Sequence, residues 1–444
     1  MFLRKASTAV LARSISCLKS SRAAATMSSG VRLRLLPDRR CLFDEPVRVK
    51  VEGLSPDQRV VLRAMLTDDN GVTFEASGTY RADPSGEVDL GSDASLGGSY
   101  TGVEPMGLFW SMRPEIPHAK LRARDVLDPL RVRIEVHGGE SGHVLASETN
   151  ERGFLAEGMR RVAVKEGRIR GVLLLPPGPG PFPGVVEMNG FGGGLCEIRA
   201  CLLANQGFVV LCLALYGYQD LPKTVKKFDL EYFEEAIMFL KSLPEVRAPG
   251  VGVLSISKSG DLALSMASRL TGVSATVCVN SCNANTTIPL HYRGTIVPAL
   301  NLDLKKVRAV GPGLLDVRDV LLDPMAPENR GCLIPIERAD CRFLFAASGD
   351  DRNWKSCRYA RQMAERLKDH GKGDCEVVVY PEAGHFLEVP YMPLCASAFH
   401  ALAGGVVMFG GEPRAHAHAQ LDLWRRVPEF FRKHLNGTRH EAKL

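Results

Sequence analysis

Between residues 30 and 149 the chain changes from apolar to polar every residue or two, in short runs. VRLRLL (31–36) and VRVKV (47–51) alternate; VVLRAML (60–66), TFEASGTYRA (73–82), RVRIEVHG (131–138) and HVLASETNER (143–152) follow. Such runs read as half-buried strands, because successive side chains of a strand face opposite sides. Turn signals separate them: Pro56-Asp57, Asp68-Asp69-Asn70-Gly71 and Asp83-Pro84-Ser85-Gly86. Short strands at this spacing predict an Ig-like β-sandwich. Residues 95–110 read as a long connection with apolar anchors.

From about residue 165 the period changes. IRGVLLLP (169–176), PGVVEMNG (183–190), GFVVLCLAL (207–215), GVGVLSI (250–256), VSATVCVN (273–280), CRFLFAASG (341–349) and CEVVVYP (375–381) are nearly continuous apolar runs. Helical spacing lies between several of them, at 229–244, 258–270 and 354–370. Strands apolar on both faces, alternating with helices, predict an α/β domain built on a mostly parallel sheet covered on both sides. Residues 283–340 break the rhythm and read as a lid or insertion. The expected division is a targeting segment at 1–27, a sandwich at 28–155, a catalytic domain at 156–436 and a tail at 437–444.

Composition narrows this picture. With 444 residues, 45% of them hydrophobic, the chain can bury the cores of two or three domains. Net charge is +6. Much of it is Arg4, Lys5, Arg13, Lys19 and Arg22, in a first stretch with no acidic residue. The remainder is nearly neutral, which argues against a nucleic-acid partner. That first stretch reads as a mitochondrial presequence, removed if translation starts at Met27. Ala442-Lys443-Leu444 resembles the S-K-L peroxisomal address. The mitochondrial matrix is the first expectation, with peroxisome or cytosol as alternatives and the corresponding import receptors as partners. No run of 18 apolar residues exists, so no transmembrane span is expected. The 12 cysteines contain no C-x-x-C pair, and His416 and His418, two apart, would face different sides of a helix. No metal site and no cofactor are expected. A monomer is expected.

The chemistry collects at strand ends, where a parallel sheet carries its reactive loops. Ser257 ends the 251–256 strand, Asp350 and Asp351 the 343–348 strand, and His385 follows the 376–380 strand. Serine, aspartate, histidine is the chain order of an α/β-hydrolase triad. The turn at the serine reads Ser255-Ile256-Ser257-Lys258-Ser259, with serine where a nucleophile elbow usually has glycine. An oxyanion hole would use the Lys258 backbone N–H and one N–H from the loop NGFGGG, within Gly190–Gly194. No G-K-S/T follows that loop, so it is not a phosphate-binding P-loop.

FDEPVRVKVEGL, LGGSYTGVEPMGLFWSMRPE, GVGVLSISKSGDLALSMAS, GDDRNWKS, YPEAGHFLEVPYMPLC and FGGEPRAHAHAQ are longer and more specific signals. Through them the chain resembles the type I acyl-CoA thioesterases, a family shared with bile acid-CoA:amino acid N-acyltransferase, over about residues 30–436. The resemblance implies a sandwich followed by an α/β-hydrolase domain, and a triad of Ser257, Asp351 and His385. It prefers Asp351 to Asp350, which the residues alone leave open. It implies an acyl-CoA substrate with a medium to long chain. The family's thioesterases mostly read G-I-S-K-G at the elbow, and its acyltransferase carries cysteine as nucleophile, so serine favours hydrolysis. Transfer to an amino acid and non-catalytic lipid binding are the alternatives.

Overall fold

Strand pairing divides the chain into N-terminal sheets and a C-terminal α/β part with a hydrolase-like arrangement. The computed structural model describes residues 30–139, 142–247, 249–401 and 403–436. The targeting signals expected at 1–27 and 442–444 lie outside these.

In the N-terminal part, Arg32–Leu36, Arg48–Glu52 and Val88–Asp89 form one sheet. A larger sheet includes His143–Gly153, Leu130–Gly138, Arg59–Thr67 and Thr73–Arg81 in that order. Arg59–Thr67 alternates between buried and less buried side chains, with apolar Val61 and Met65 among the outer ones. Leu33 and Val49 of the small sheet share one apolar cluster with Leu62 and Ile134 of the large one.

The C-terminal sheet has eight strands: β1 (Arg160–Glu166), β2 (Ile169–Leu175), β3 (Gly184–Met188), β4 (Val209–Leu213), β5 (Val251–Ile256), β6 (Val273–Val279), β7 (Arg342–Ser348) and β8 (Cys375–Tyr380). Their order is β1-β2-β4-β3-β5-β6-β7-β8. The sheet is mixed. From β4 to β8 neighbours run parallel, whereas β1 pairs antiparallel with β2 and β2 antiparallel with β4. Only Gly167 and Arg168 join β1 to β2, and so short a link permits only a hairpin. β1 escapes sequence reading because six of its seven residues are exposed, which leaves no alternation to see.

Among the described residues, five helices flank this sheet: α1 (Ile198–Ala204), α2 (Leu230–Ser242), α3 (Lys258–Arg269), α4 (Ser356–Asp369) and α5 (Pro413–Leu435). Both faces of each central strand are buried, which explains the continuous apolar runs. Val210 and Cys212 of β4 pack with α1, α5 and the N-terminal core, while Val209 and Leu211 pack with α2, α3 and α4. The N-terminal sheets therefore cover the α1/α5 face. Trp424 of α5 fastens them there by donating its indole N–H to Asp44 at 2.7 Å.

Segment 283–340 is built of short strands and 3₁₀ turns. Two of its strands, Arg308–Gly311 and Leu314–Asp316, join Ser397–His400 and Gly405–Met408 in a four-stranded sheet. Among the described residues no helix is long and apolar enough to cross a membrane.

Candidate active site

Ser257 stands between β5 and the first turn of α3, with φ 60° and ψ −130°. A non-glycine residue held there stores about 1–3 kcal/mol of strain. The strain turns the hydroxyl out of the sheet edge. The surroundings enforce it: Ser257 N–H donates to the Val279 carbonyl at 2.9 Å, and the Ser257 carbonyl accepts from Gly260 N–H at 2.8 Å. Gly260 also lets α3 approach β6, since a methyl group on it would meet Ser281 Oγ at 1.8 Å.

The serines flanking the elbow are occupied. Ser255 Oγ donates to Val277 O at 3.0 Å. Ser259 Oγ accepts from Ile256 N–H at 3.0 Å and lies 2.9 Å from Met188 O. Small hydroxyls thus fill the places of the usual glycines, with their polar groups satisfied.

Ser257, His385 and Asp351 form one chain of hydrogen bonds. His385 Nε2 lies 2.8 Å from Ser257 Oγ, and His385 Nδ1 lies 2.8 Å from Asp351 Oδ2. All three are buried. Asp351 Oδ1 accepts from the backbone N–H of Asn353 (2.8 Å) and Trp354 (3.1 Å), and Oδ2 also accepts from Ser356 Oγ at 2.5 Å. Asp350 points elsewhere, to Arg352 Nε at 2.6 Å and Gly411 N–H at 2.9 Å.

Several supports escaped sequence reading because their partners are far along the chain. Asn280, just past β6, donates to the His385 carbonyl at 2.7 Å and accepts from Ser348 N–H at 2.7 Å. Phe409 stacks on the His385 ring, 5.9 Å between centroids, and its carbonyl accepts from His385 N–H at 2.8 Å. His416 accepts from Gly384 N–H at 3.0 Å, and burial pushes its pKa down to about 4, so it stays neutral. His418, two residues on, is exposed. Asn353 Nδ2 comes within 3.3 Å of His385 Nε2.

The glycine loop lies beside the nucleophile, since a methyl group on Gly190 would sit 3.5 Å from Ser257 Cβ. The N–H groups of Gly190, Gly192 and Gly194 are already committed, to Asn189 Oδ1 (2.8 Å), Gly190 O (2.9 Å) and Tyr216 O (2.8 Å). Lys258 opens α3, where a backbone N–H has no partner within the helix.

The Lys258 side chain turns away from this opening. Its ammonium is buried against Asp261 Oδ2 (2.9 Å) and the Thr286 carbonyl (2.7 Å). Asp261 Oδ2 also accepts from Thr286 N–H and Oγ1, each at 2.8 Å. Burial pushes the Asp261 carboxyl up, and the Lys258 ammonium opposes that shift. This pair ties the elbow to the start of segment 283–340. Asp261→Ala would strand a buried ammonium, and unfolding in urea should show a loss of about 3–5 kcal/mol. An unchanged midpoint and slope would mean that the pair does not support the elbow.

A cleft of about 1140 Å³ lies at the opposite end of the sheet, against Gly250, Ser274, Arg342 and Cys375. Two ion pairs line it, Arg342 with Asp374 and Lys433 with Glu376. Among the described residues no group of three or more His, Cys, Asp or Glu side chains could hold a metal ion.

A hydrolase-like α/β fold carrying a buried serine–histidine–aspartate relay defines a serine hydrolase. Residues 44–166 match the family described as Acyl-CoA thioester hydrolase/BAAT N-terminal region, and residues 228–437 match BAAT / Acyl-CoA thioester hydrolase C terminal. The chain belongs to this BAAT/acyl-CoA thioesterase family. It is 49% identical over 415 residues to human acyl-coenzyme A thioesterase 2, mitochondrial, covering 93% of this chain and 86% of that one. It is equally identical to human acyl-coenzyme A thioesterase 1, over 93% and 98% of the two chains. Among solved structures, it resembles Pyrococcus horikoshii acylaminoacyl peptidase at 13% identity and a TM-score of 0.40, over 89% of this chain and 60% of that one.

Proposed function

We propose that this protein hydrolyses medium- to long-chain fatty acyl-CoA to a free fatty acid and coenzyme A, with Ser257 as nucleophile, His385 as base and Asp351 as its orienting acid. The hydrogen-bonded chain from Ser257 through His385 to Asp351 carries this reading. His385 Nε2 takes the Ser257 proton as Oγ attacks the thioester carbon. The tetrahedral intermediate collapses, the thiolate leaves with the proton from His385, and an acyl-serine remains. Water, deprotonated by His385, then releases the acid. Purified protein given acyl-CoAs from C2 to C20 with a thiol reagent tests this. CoA release no faster than from a Ser257→Ala control would overturn it, and a preference for short polar chains would overturn the chain-length part.

For the oxyanion hole we assign the N–H groups of Lys258 and Phe191. Phe191 is the non-glycine member of the loop and adjoins Gly190, which abuts Ser257. Its N–H alternates with the committed ones of Gly190 and Gly192. Phe191→Pro removes that donor, and kcat should fall by roughly 10²–10³ with KM little changed. An unchanged kcat would move the assignment elsewhere in the loop.

The same reading takes residues 28–155 as an Ig-like sandwich domain, 156–436 as the catalytic domain, and the protein as a monomer. Segments 283–340 and 391–399 would roof the acyl chain. It places the protein in the mitochondrial matrix through import of its basic first stretch, supported by the name of one human relative, acyl-coenzyme A thioesterase 2, mitochondrial. Peroxisomal import through Ala442-Lys443-Leu444 is the alternative. Imaging with and without residues 1–26 decides between them. Full-length protein confined to peroxisomes, and dispersed by loss of the last three residues, would overturn the matrix assignment.

A further inference from the structure

We propose that Asn353 holds the water that hydrolyses the acyl-enzyme, and so directs the intermediate to a free acid. The inference rests on Ser257 being the acylated residue.

Asn353 has two separate jobs for its two ends. Its backbone N–H belongs to Asp351 Oδ1, at 2.8 Å, so the acid itself clamps the turn that carries it. Its side-chain amide does not join that carboxylate. It reaches instead to His385 Nε2, at 3.3 Å, the nitrogen that faces Ser257 Oγ at 2.8 Å. Among the described residues these two side chains are the hydrogen-bonding partners of Nε2. The rings around His385 belong to Trp354, Phe386 and Phe409, and their one polar atom, Trp354 Nε1, donates to the Asn280 carbonyl at 2.8 Å. Asn353 is half-buried, whereas Asp351 and His385 are almost fully covered. It therefore stands where solvent meets the relay.

The proton inventory explains the long contact. With Nδ1–H donated to Asp351, neutral His385 has one lone pair, on Nε2. Ser257 O–H takes it in the resting enzyme, and the amide can only share it. Once Ser257 Oγ is esterified it has no proton to give, and the lone pair is vacated. A water on the ester side of this contact, within hydrogen-bond reach of both nitrogens, donates one hydrogen to Nε2 and accepts one from the Asn353 amide. Its second lone pair then faces the ester carbonyl. In the step that follows, the water oxygen bonds to the acyl carbon while its proton passes to His385 Nε2. The carbon–Oγ bond then breaks, and that proton returns to Ser257 Oγ. An amine has one lone pair, which it needs for the attack, so it cannot also accept from the Asn353 amide and is disfavoured as the second nucleophile.

Asn353→Leu removes the donor at similar volume, and Asn353→Ala is a second variant that keeps the backbone N–H. Each is mixed rapidly with an acyl-CoA and, separately, with the p-nitrophenyl ester of the same acid, since both form the same acyl-serine. A burst of leaving group close to that of the unaltered protein is expected, followed by a steady rate lowered by about 10²-fold and equal for the two substrates. Intact-protein mass should show the acyl adduct, absent from Ser257→Ala. Burst and steady rate falling together, or no accumulated adduct in either variant, would overturn the proposal. Ester turnover without acyl-CoA turnover in the unaltered protein would instead overturn the substrate assignment, and the ester alone would then decide the role of Asn353.

Discussion

Ser257→Ala should lower acyl-CoA turnover by about 10⁶-fold, leaving the fold intact. Alanine removes the oxygen that His385 Nε2 contacts at 2.8 Å, and no neighbour can replace it. Ser255 Oγ is held by Val277 O, and Ser259 Oγ by the carbonyls of Met188 and Ile256. Both sit wholly inside the sheet–helix junction. The strained backbone at 257 tolerates alanine no worse than serine, so circular dichroism and the unfolding midpoint should stay close to the original. The comparison needs a fluorophosphonate probe as well as CoA release. Labelling retained in the alanine variant, or turnover near that of the unaltered protein, would remove Ser257 from the mechanism.

The second large effect is expected at Asp351. Asp351→Asn should cost about 10⁴-fold in kcat, because it reverses the histidine rather than removing it. The Asp351 side chain is fully enclosed, and its Oδ1 is claimed by two backbone N–H groups. An asparagine there must keep its oxygen toward those donors and turn its NH₂ toward His385 Nδ1. Nδ1 then has to accept, the imidazole proton moves to Nε2, and Nε2 cannot take a proton from Ser257. Asp350→Asn is the contrasting variant. That carboxylate serves Arg352 and Gly411 and does not touch His385, so turnover should change little. Equal losses at both positions would mean that the pair acts as a unit and would overturn the assignment of Asp351 alone.

The adjacent aspartates also show where sequence reading ends. Both follow β7, and the apolar run before them marks the strand end that carries them. Which one faces the histidine depends on the turn after the strand, and only the resemblance to a family chose Asp351. In the structure the choice follows from Asn353 and Trp354 N–H wrapping one carboxylate while Gly411, from a distant loop, claims the other.

Ser257 and His385 were legible because β5 and β8 are apolar runs that stop abruptly at polar turns, and a parallel sheet gathers such turns at one edge. The two-part architecture was legible for a similar reason. Burial of one face writes a period of two into the N-terminal strands, and burial of both faces writes continuous apolar runs into the C-terminal ones. These signals are local and need no partner. By itself the sequence therefore determined the order of β2 to β8 along the chain, the change of architecture near residue 165, and the three strand ends that carry the polar side chains. Tertiary structure decided what surrounds them. The antiparallel edge of the sheet, the Lys258–Asp261–Thr286 lock, the Asn280 brace on His385 and the reach of Asn353 to Nε2 each join residues that no local period relates. A hydrogen bond such as that from Asn280 to His385, 105 residues apart, leaves no trace in either residue's neighbours, because its geometry exists only once the sheet has brought both strand ends together.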